Sequence, residues 1–204
     1  IKDATLILEP IGRNTAPAAL IAALIALEQR TDAQLLTLPA DHLMADPEAF
    51  CNRVEEGLSL VKMGKFVTFG VLPTSPETGY GYIQRGDSIA TTTGYTIERF
   101  VEKPNLQTAQ GYVSSGDYLW NSGMFLFSAA QFLLEMEQLE SSMVKTCTQA
   151  MATAQREGSF IFLDEHHFPS CPANSIDYAL MEKTVDGAVV PLEAGWSDIG
   201  SWAA

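Results

Sequence analysis

Cysteine is scarce and poorly placed for chemistry. Cys51, Cys147 and Cys171 lie far apart, with no CxxC pair and no His/Cys spacing that would build a zinc site. Reduced thiols in a cytoplasmic protein are their simplest reading. Positive charge is scarce too: 12 Lys and Arg stand against 25 Asp and Glu, for a formal net charge of −13. That field repels a phosphate backbone and argues against nucleic acid as a partner. A small anion stays admissible where a cation cluster, a helix N-terminus or a metal offsets the field locally. Long apolar runs are missing as well. The longest, Ala16 to Leu27, is interrupted at Pro17 and is too short to cross a bilayer, so no membrane partner is expected. There is no signal-peptide pattern, low-complexity tract, internal repeat, linker or nucleophile elbow.

What is there suits one globular core. The 204 residues are 47% hydrophobic and 18% charged, enough for a single domain with a buried interior. The chain opens on Ile1 rather than Met and stops at Ser201 to Ala204, where a helix could begin. Both ends therefore read as cut, and residues 1–204 as a partial domain of a longer protein.

Apolar runs and their punctuation set the expected elements. Thr5 to Leu8 reads as a buried strand, followed by a helix from about Thr15 to Arg30 with Asn14 or Thr15 as cap and Pro17 in its first turn. Gln34 to Leu38 and Phe66 to Val71 read as strands, and Asp46-Pro47-Glu48 opens a helix between them. Further strands are expected at Tyr80 to Gln84, Thr96 to Val101, Gly123 to Phe127 and Ala188 to Leu192. Helices are expected at Ala129 to Leu139, Ser142 to Arg156 and Ile176 to Lys183. This alternation predicts an α/β fold with a mixed, mostly parallel sheet and antiparallel additions around residues 80 to 101.

Three segments stand out at the ends of apolar runs: Glu77-Thr78-Gly79-Tyr80-Gly81-Tyr82-Ile83, Phe100-Val101-Glu102-Lys103-Pro104, and Trp120-Asn121-Ser122-Gly123-Met124-Phe125. Strand ends are where α/β proteins build ligand crevices. Gly79, Gly81 and Gly123 let backbone approach a ligand, while Glu102, Lys103 and Asn121 supply an acceptor, a cation and an amide. Such groups suit a polyhydroxylated anion such as a sugar phosphate. Taken singly, each segment is also an ordinary turn, bulge or solvated charge pair. Their joint occurrence favours a site.

Other residues carry weaker signals. Asp41 and Asp198 each follow a strand run, and two carboxylates at strand ends can share Mg²⁺, although Asp is also a common turn residue. Gly12-Arg13-Asn14-Thr15 puts an Arg and two short polar residues at a helix N-terminus, which favours an anion but equally describes a capped helix. His42 reads as a turn residue, and His166-His167 lies in a polar loop. Asp177 and Lys183 each fit a helix-dipole role in Ile176 to Lys183.

The ordered set Glu9 to Ala18, Leu38 to His42, Glu77 to Ile83, Phe100 to Pro104, Trp120 to Phe125, Ser175 to Thr184 and Trp196 to Trp202 resembles the mannose-1-phosphate guanylyltransferases. The resemblance spans the whole chain and is nearest to the bacterial form often fused to a mannose-6-phosphate isomerase domain. It implies a Rossmann-like sugar nucleotidyltransferase core, helices on both faces of the sheet, and synthesis of GDP-mannose and pyrophosphate from mannose 1-phosphate and GTP. It also implies site roles. Asp41 and Asp198 would hold a catalytic Mg²⁺; Gly79, Glu102, Lys103 and Asn121 would hold mannose and its phosphate, with Lys103 also catalytic. Arg13 and Asn14 would lie near the nucleotide, and Asp177 would be a sugar or metal-shell contact.

One departure is large. The glycine-rich loop that runs into an Arg, and the later Pro-Lys pair, are nowhere in this sequence. The resemblance therefore implies that the triphosphate half of the site and the N-terminal strand lie outside these 204 residues, and that the chain alone has little activity. An unpaired sheet edge would then favour self-association into a homo-oligomer. Two other readings compete: a nucleotidyltransferase for another sugar 1-phosphate, and a non-catalytic module that binds a sugar nucleotide.

Overall fold

In a computed structural model residues 4–199 are described, so Ser201 to Ala204, where a helix start was expected, lie outside the described residues. The first half of the chain gives β1 (Leu6–Leu8), α1 (Thr15–Gln29), β2 (Gln34–Thr37), β3 (Leu43–Met44), α2 (Pro47–Lys62), β4 (Phe66–Val71), β5 (Gly81–Ser88) and β6 (Tyr95–Glu102). The second gives α3 (Leu106–Ser115), β7 (Tyr118–Ser128), α4 (Ala129–Leu139), α5 (Ser141–Ala152), β8 (Gln155–Glu157), β9 (Phe160–Phe162), β10 (Gly187–Pro191) and β11 (Trp196–Ser197). A 3₁₀ turn, Phe168–Ser170, and a π-helical turn, Asp177–Met181, precede β10. The chain divides into two compact units, Ile1–Ala33 with Ala129–Lys183, and Gln34–Ser128 with Thr184–Ala204.

In the unit containing the N-terminal segment, α1 packs on α4 and α5. Ala16, Leu20, Ile21 and Ala23 of α1 are fully or almost fully buried, as are Phe132, Met136 and Met143. Burial of side chains the size of Leu, Ile or Phe stabilises by roughly 1.5–3 kcal/mol each. Asn14 caps α1 through its side chain, which accepts from the Thr15 amide at 2.8 Å. A small sheet accompanies these helices, with β1 parallel to β9 and β9 antiparallel to β8. Its β1 strand is not buried as expected: Leu6 and Leu8 are exposed, because successive side chains on a strand face opposite ways and only Ile7 turns inward. The expected helix to Arg156 stops at Ala152, and Arg156 lies in β8, where its guanidinium pairs with Glu28 at 2.7 Å.

The other unit is built on six strands in the order β2-β7-β4-β10-β6-β5, with a further β7–β5 pairing. Strand β4, an apolar run buried over five of its six residues, occupies the interior between β7 and β10. Helix α2 covers β4, β7 and β10, and its Leu60 and Val61 meet Val67, Phe69, Leu126 and Val190 in one core. The start of α2 obeys its sequence: Asp46 accepts from the Ala49 amide at 2.9 Å and Pro47 is the first helical residue. The mixed α/β sheet is present as expected, but its balance differs. Among the described pairings of these six strands only β4–β10 is parallel, because β7 runs antiparallel to β2, β4 and β5, and β6 antiparallel to β5 and β10.

Strand β7 decides how this unit presents its ligand-like residues. It was expected only over Gly123 to Phe127 but runs eleven residues, from Tyr118 to Ser128. Tyr118 to Trp120 pair with β5, whereas Phe125 to Ser128 pair with β2. Against β4 the register jumps, with Thr68 opposite Phe125 and Gly70 opposite Asn121. The extra residues between these pairs form a bulge, a device that re-aims side chains without ending the strand.

Candidate active site

The ladders bring the three singled-out segments together. Gly81 pairs with Glu102, and Tyr82 pairs with both Val101 and Trp120, so β5 lies between the end of β6 and the start of β7. Lys103, just beyond β6, donates its amide to the Tyr80 carbonyl at 3.2 Å. Its φ of 48° is left-handed, an unusual value for a residue with a side chain and one that turns the chain sharply before Pro104. Asn121-Ser122-Gly123 is not a turn at a strand end, as its composition suggested, but the bulge inside β7. Gly123 supplies the required φ of 71°, and the Asn121 Oδ1 accepts from the Gly123 amide at 3.2 Å and from the buried Thr68 hydroxyl at 3.0 Å. These bonds fix the Asn121 side chain.

The three glycines have different reasons to be glycine. A Cβ on Gly81 would lie 2.5 Å from the Glu102 Oε2 and 3.2 Å from the Asn121 Cβ, so its bareness is what lets both side chains pack over it. Gly123 is required by its backbone angle. A Cβ on exposed Gly79 would meet nothing within 4 Å. Gly79 thus borders open space two residues before Gly81. The Glu102 side chain is only 13% exposed and its Oε1 stands 3.2 Å from Lys103 Nζ, whose side chain is 64% exposed. A sunken acceptor beside a solvent-facing cation can address a hydroxyl and a phosphate of one ligand.

Asp41 and Asp198 reach the same neighbourhood through a short ribbon. Strands β3 and β11 are antiparallel, with Trp196 opposite Met44 and Ser197 opposite Leu43. Asp198 directly follows β11, and His42 directly precedes β3 with Asp41 one residue earlier. The Asp41 side chain is 85% exposed. Asp198 accepts a hydrogen bond at Oδ1 from the Tyr80 hydroxyl at 2.9 Å. Desolvation, followed by that bond and the negative charge of Asp198, pushes the Tyr80 phenol up to about 12, so at neutral pH it is a donor only to the carboxylate.

Residues whose role the sequence did not disclose hold this arrangement. Tyr80 meets Trp120 and Trp196 edge-on, with ring centroids 5.1 and 5.6 Å away. Trp196 Nε1 donates to His42 Nδ1 at 3.1 Å, and His42 Nε2 stands 3.9 Å from Asp41 Oδ1. His42 thus does more than support a turn: it joins the loop after β2 to β11. Tyr80 and Trp196 both lay in singled-out motifs, but pairings across 118 and 154 residues carry no local sequence signal.

Arg13, Asn14 and Asp177 belong to the other unit. The Arg13 Nη2 donates to the Pro169 carbonyl, and its Nε is buried with no hydrogen-bond partner among the described residues. Asn14 is committed to capping α1. Asp177 opens the π-helical turn, and its carbonyl accepts from the Glu182 amide at 2.9 Å, the five-residue spacing that defines that geometry. Lys183 pairs with Glu140 at 2.6 Å, a more direct role than the dipole contact expected for it.

A metal at Asp41 and Asp198 has a chemically suitable donor set. Both are hard carboxylate oxygens, and one is strongly exposed. Among the described residues no group of three or more His, Cys, Asp or Glu gathers to hold an ion. Two carboxylates completed by water and phosphate oxygens is the pattern typical of Mg²⁺ in phosphoryl-transfer sites. No helix among the described residues is long and apolar enough to cross a membrane.

Comparison with known proteins adds a second line. The family model described as nucleotidyl transferase matches residues 2–204. Mannose-1-phosphate guanylyltransferase ManC of Salmonella typhimurium is 51% identical over 203 residues, which cover 97% of this chain and 42% of that protein. The crystal structure of mannose-1-phosphate geranyltransferase from Thermus thermophilus is 36% identical, with a TM-score of 0.83 over 96% of this chain and 55% of that one. The crystal structure of mannose-6-phosphate isomerase from Helicobacter pylori is 32% identical, with a TM-score of 0.84 over 94% of this chain and 73% of that one. The chain spans less than half the length of the curated relatives it matches.

Proposed function

Since the chain belongs to the nucleotidyl transferase family, we propose that the protein makes GDP-mannose and pyrophosphate from mannose 1-phosphate and GTP. The observation that carries this reading is the convergence of Gly81, Glu102, Lys103 and Asn121 beside exposed Gly79. The identity to ManC supports mannose and guanine as the sugar and base.

In this reading Glu102 accepts a mannose hydroxyl and Asn121 offers its amide to another, while Gly79 leaves room for the ring. Lys103, exposed on its left-handed turn, pairs with the sugar phosphate and offsets its charge. A phosphate oxygen of mannose 1-phosphate attacks the α-phosphorus of GTP in line, the α–β bridging bond breaks, and pyrophosphate leaves with the bonding electrons. No covalent enzyme intermediate is needed, so positioning and charge neutralisation carry most of the rate. Magnesium, when bound, supplies charge neutralisation for the phosphates, and Asp41 and Asp198 are the residues that would hold it. Tyr80 orients Asp198 through its hydroxyl. The Nε of Arg13, without a hydrogen-bond partner among the described residues and at the N-terminal end of α1, supports a role toward the nucleotide, with Asn14 beside it and Asp177 as a further contact. A nucleoside triphosphate substrate is in keeping with a cytoplasmic location.

Calorimetry of mannose 1-phosphate and GDP-mannose binding in the presence of Mg²⁺ tests these assignments. Lys103→Ala and Asp198→Ala are each expected to weaken binding about tenfold or more, equivalent to about 1.4 kcal/mol or more. Unchanged affinity in Asp198→Ala would remove that residue from the site, and unchanged affinity in Lys103→Ala would remove the phosphate contact.

A further inference from the structure

Two buried thiols are unused by the proposed chemistry. Cys147, on α5, and Cys171, just after the Phe168–Ser170 turn, lie with their sulfur atoms 3.8 Å apart and are both almost wholly buried. They are 24 residues apart in sequence and belong to the same unit. Cys51, the third cysteine, is exposed and lies in the other unit.

We propose that Cys147 and Cys171 form a thiol-oxidation site, converted by hydrogen peroxide into an intramolecular disulfide that ties α5 to the segment following Pro169. A disulfide needs its sulfurs about 2.05 Å apart, so the present separation closes through side-chain rotation and a small backbone shift rather than a rearrangement of elements. The two cysteines have different parts. The hydrogen bond shared with Cys147, together with the positive charge of Arg13, holds the Cys171 thiol below its ordinary value against burial and the negative charge of Glu9. The same hydrogen bond, with burial, raises Cys147. The positive charge of Arg13 near Cys171 favours it as the attacking sulfur.

The chemistry balances without a further reactant. The Cys171 thiolate attacks one peroxide oxygen, the O–O bond breaks, and the departing hydroxide takes a proton to become water. Cys147 then attacks the sulfenic sulfur: the S–S bond forms, the S–O bond breaks, and hydroxide leaves as water with the Cys147 proton. Two thiols lose two electrons and the peroxide becomes two waters. Burial makes the step depend on local opening of the Phe168–Ser170 turn, so it runs more slowly than alkylation of Cys51. The product constrains the stretch next to Pro169, whose carbonyl anchors Arg13.

The test is peptide mapping of the full chain after exposure to hydrogen peroxide, with remaining thiols alkylated under denaturing conditions. The expected product is a reductant-sensitive peptide pair joining Cys147 to Cys171, formed equally in Cys51→Ser. In Cys147→Ser, dimedone is expected to trap a sulfenic acid on Cys171. Full alkylation of both buried cysteines after prolonged peroxide, with oxidation confined to Cys51, would overturn the proposal. So would a disulfide that joins Cys51 to either of the others in preference to this pair.

Discussion

Gly70 and Gly81 offer a paired perturbation in which the same added methyl group should fail in two different ways. At Gly70, between the two interior strands, a Cβ would sit 2.6 Å from Leu119 Cδ1, 2.8 Å from Val189 Cγ2 and 2.9 Å from Leu119 Cβ. The last of these is fixed to the backbone and cannot rotate away. Overpacking of this kind costs about 1–3 kcal/mol. Loss of glycine's freedom in the unfolded chain returns roughly 0.5–1 kcal/mol. Gly70→Ala should therefore lose up to about 2.5 kcal/mol, which for a chain of this size lowers Tm by up to roughly 10 °C. At Gly81 the nearest atom, 2.5 Å away, is the Glu102 Oε2, the free end of a rotatable side chain. The carboxylate swings aside, so stability should change by less than about 1 kcal/mol. What Gly81→Ala loses is the placement of Glu102 against Lys103 and Asn121, and binding of mannose 1-phosphate should fall about tenfold, or about 1.4 kcal/mol. Thermal unfolding and calorimetry on both variants separate the outcomes. Normal ligand affinity in Gly81→Ala, or a Tm loss matching that of Gly70→Ala, would refute the claim that Gly81 is bare to serve the site.

Two further predictions rest on single contacts. Tyr80 ionises near 12 rather than near 10, so the proton it keeps in the folded state contributes stability that is complete below pH 10 and is lost as the pH rises to about 12. A difference titration of tyrosinate absorbance between the wild type and Tyr80→Phe should show one phenol of that pKa missing; a missing phenol near 10 would contradict the Asp198 contact. Asp46→Ala removes the side-chain cap of α2 and should cost about 0.5–2 kcal/mol by denaturant titration, whereas Asp46→Asn or Asp46→Ser should restore most of it.

Where local chemistry decided the structure, the sequence was readable. Phe66 to Val71 and Ala129 to Leu139 have the bounds their apolar runs suggested, and Asp46-Pro47 starts α2 because capping is a contact within four residues. The reading failed where pairing overruled composition. Asn121-Ser122-Gly123 has the residues of a turn, but Tyr118 to Trp120 and Phe125 to Ser128 are both committed to neighbouring strands, and the chain bulges rather than reverses. The short β8 and β9 and the helix α3 went unanticipated because each is brief or weakly patterned and is held by its neighbours. In the candidate site, the glycines, Glu102, Lys103 and Asn121 stood out by residue type and spacing, and the strand pairings set Gly81 against Glu102. The supports contributed by Tyr80, Trp120, Trp196 and His42 were not, because aromatic packing between distant segments exists only in the folded chain.

The proposed reaction joins mannose 1-phosphate to the guanylyl group of GTP. Pyrophosphate release and GDP-mannose formation by the protein with Mg²⁺ test it most directly, across mannose 1-phosphate and glucose 1-phosphate and across GTP and UTP. Robust turnover is expected with mannose 1-phosphate and GTP, and at least about tenfold less with either substitution. No pyrophosphate from any pair, or equal turnover with glucose 1-phosphate and UTP, would contradict it.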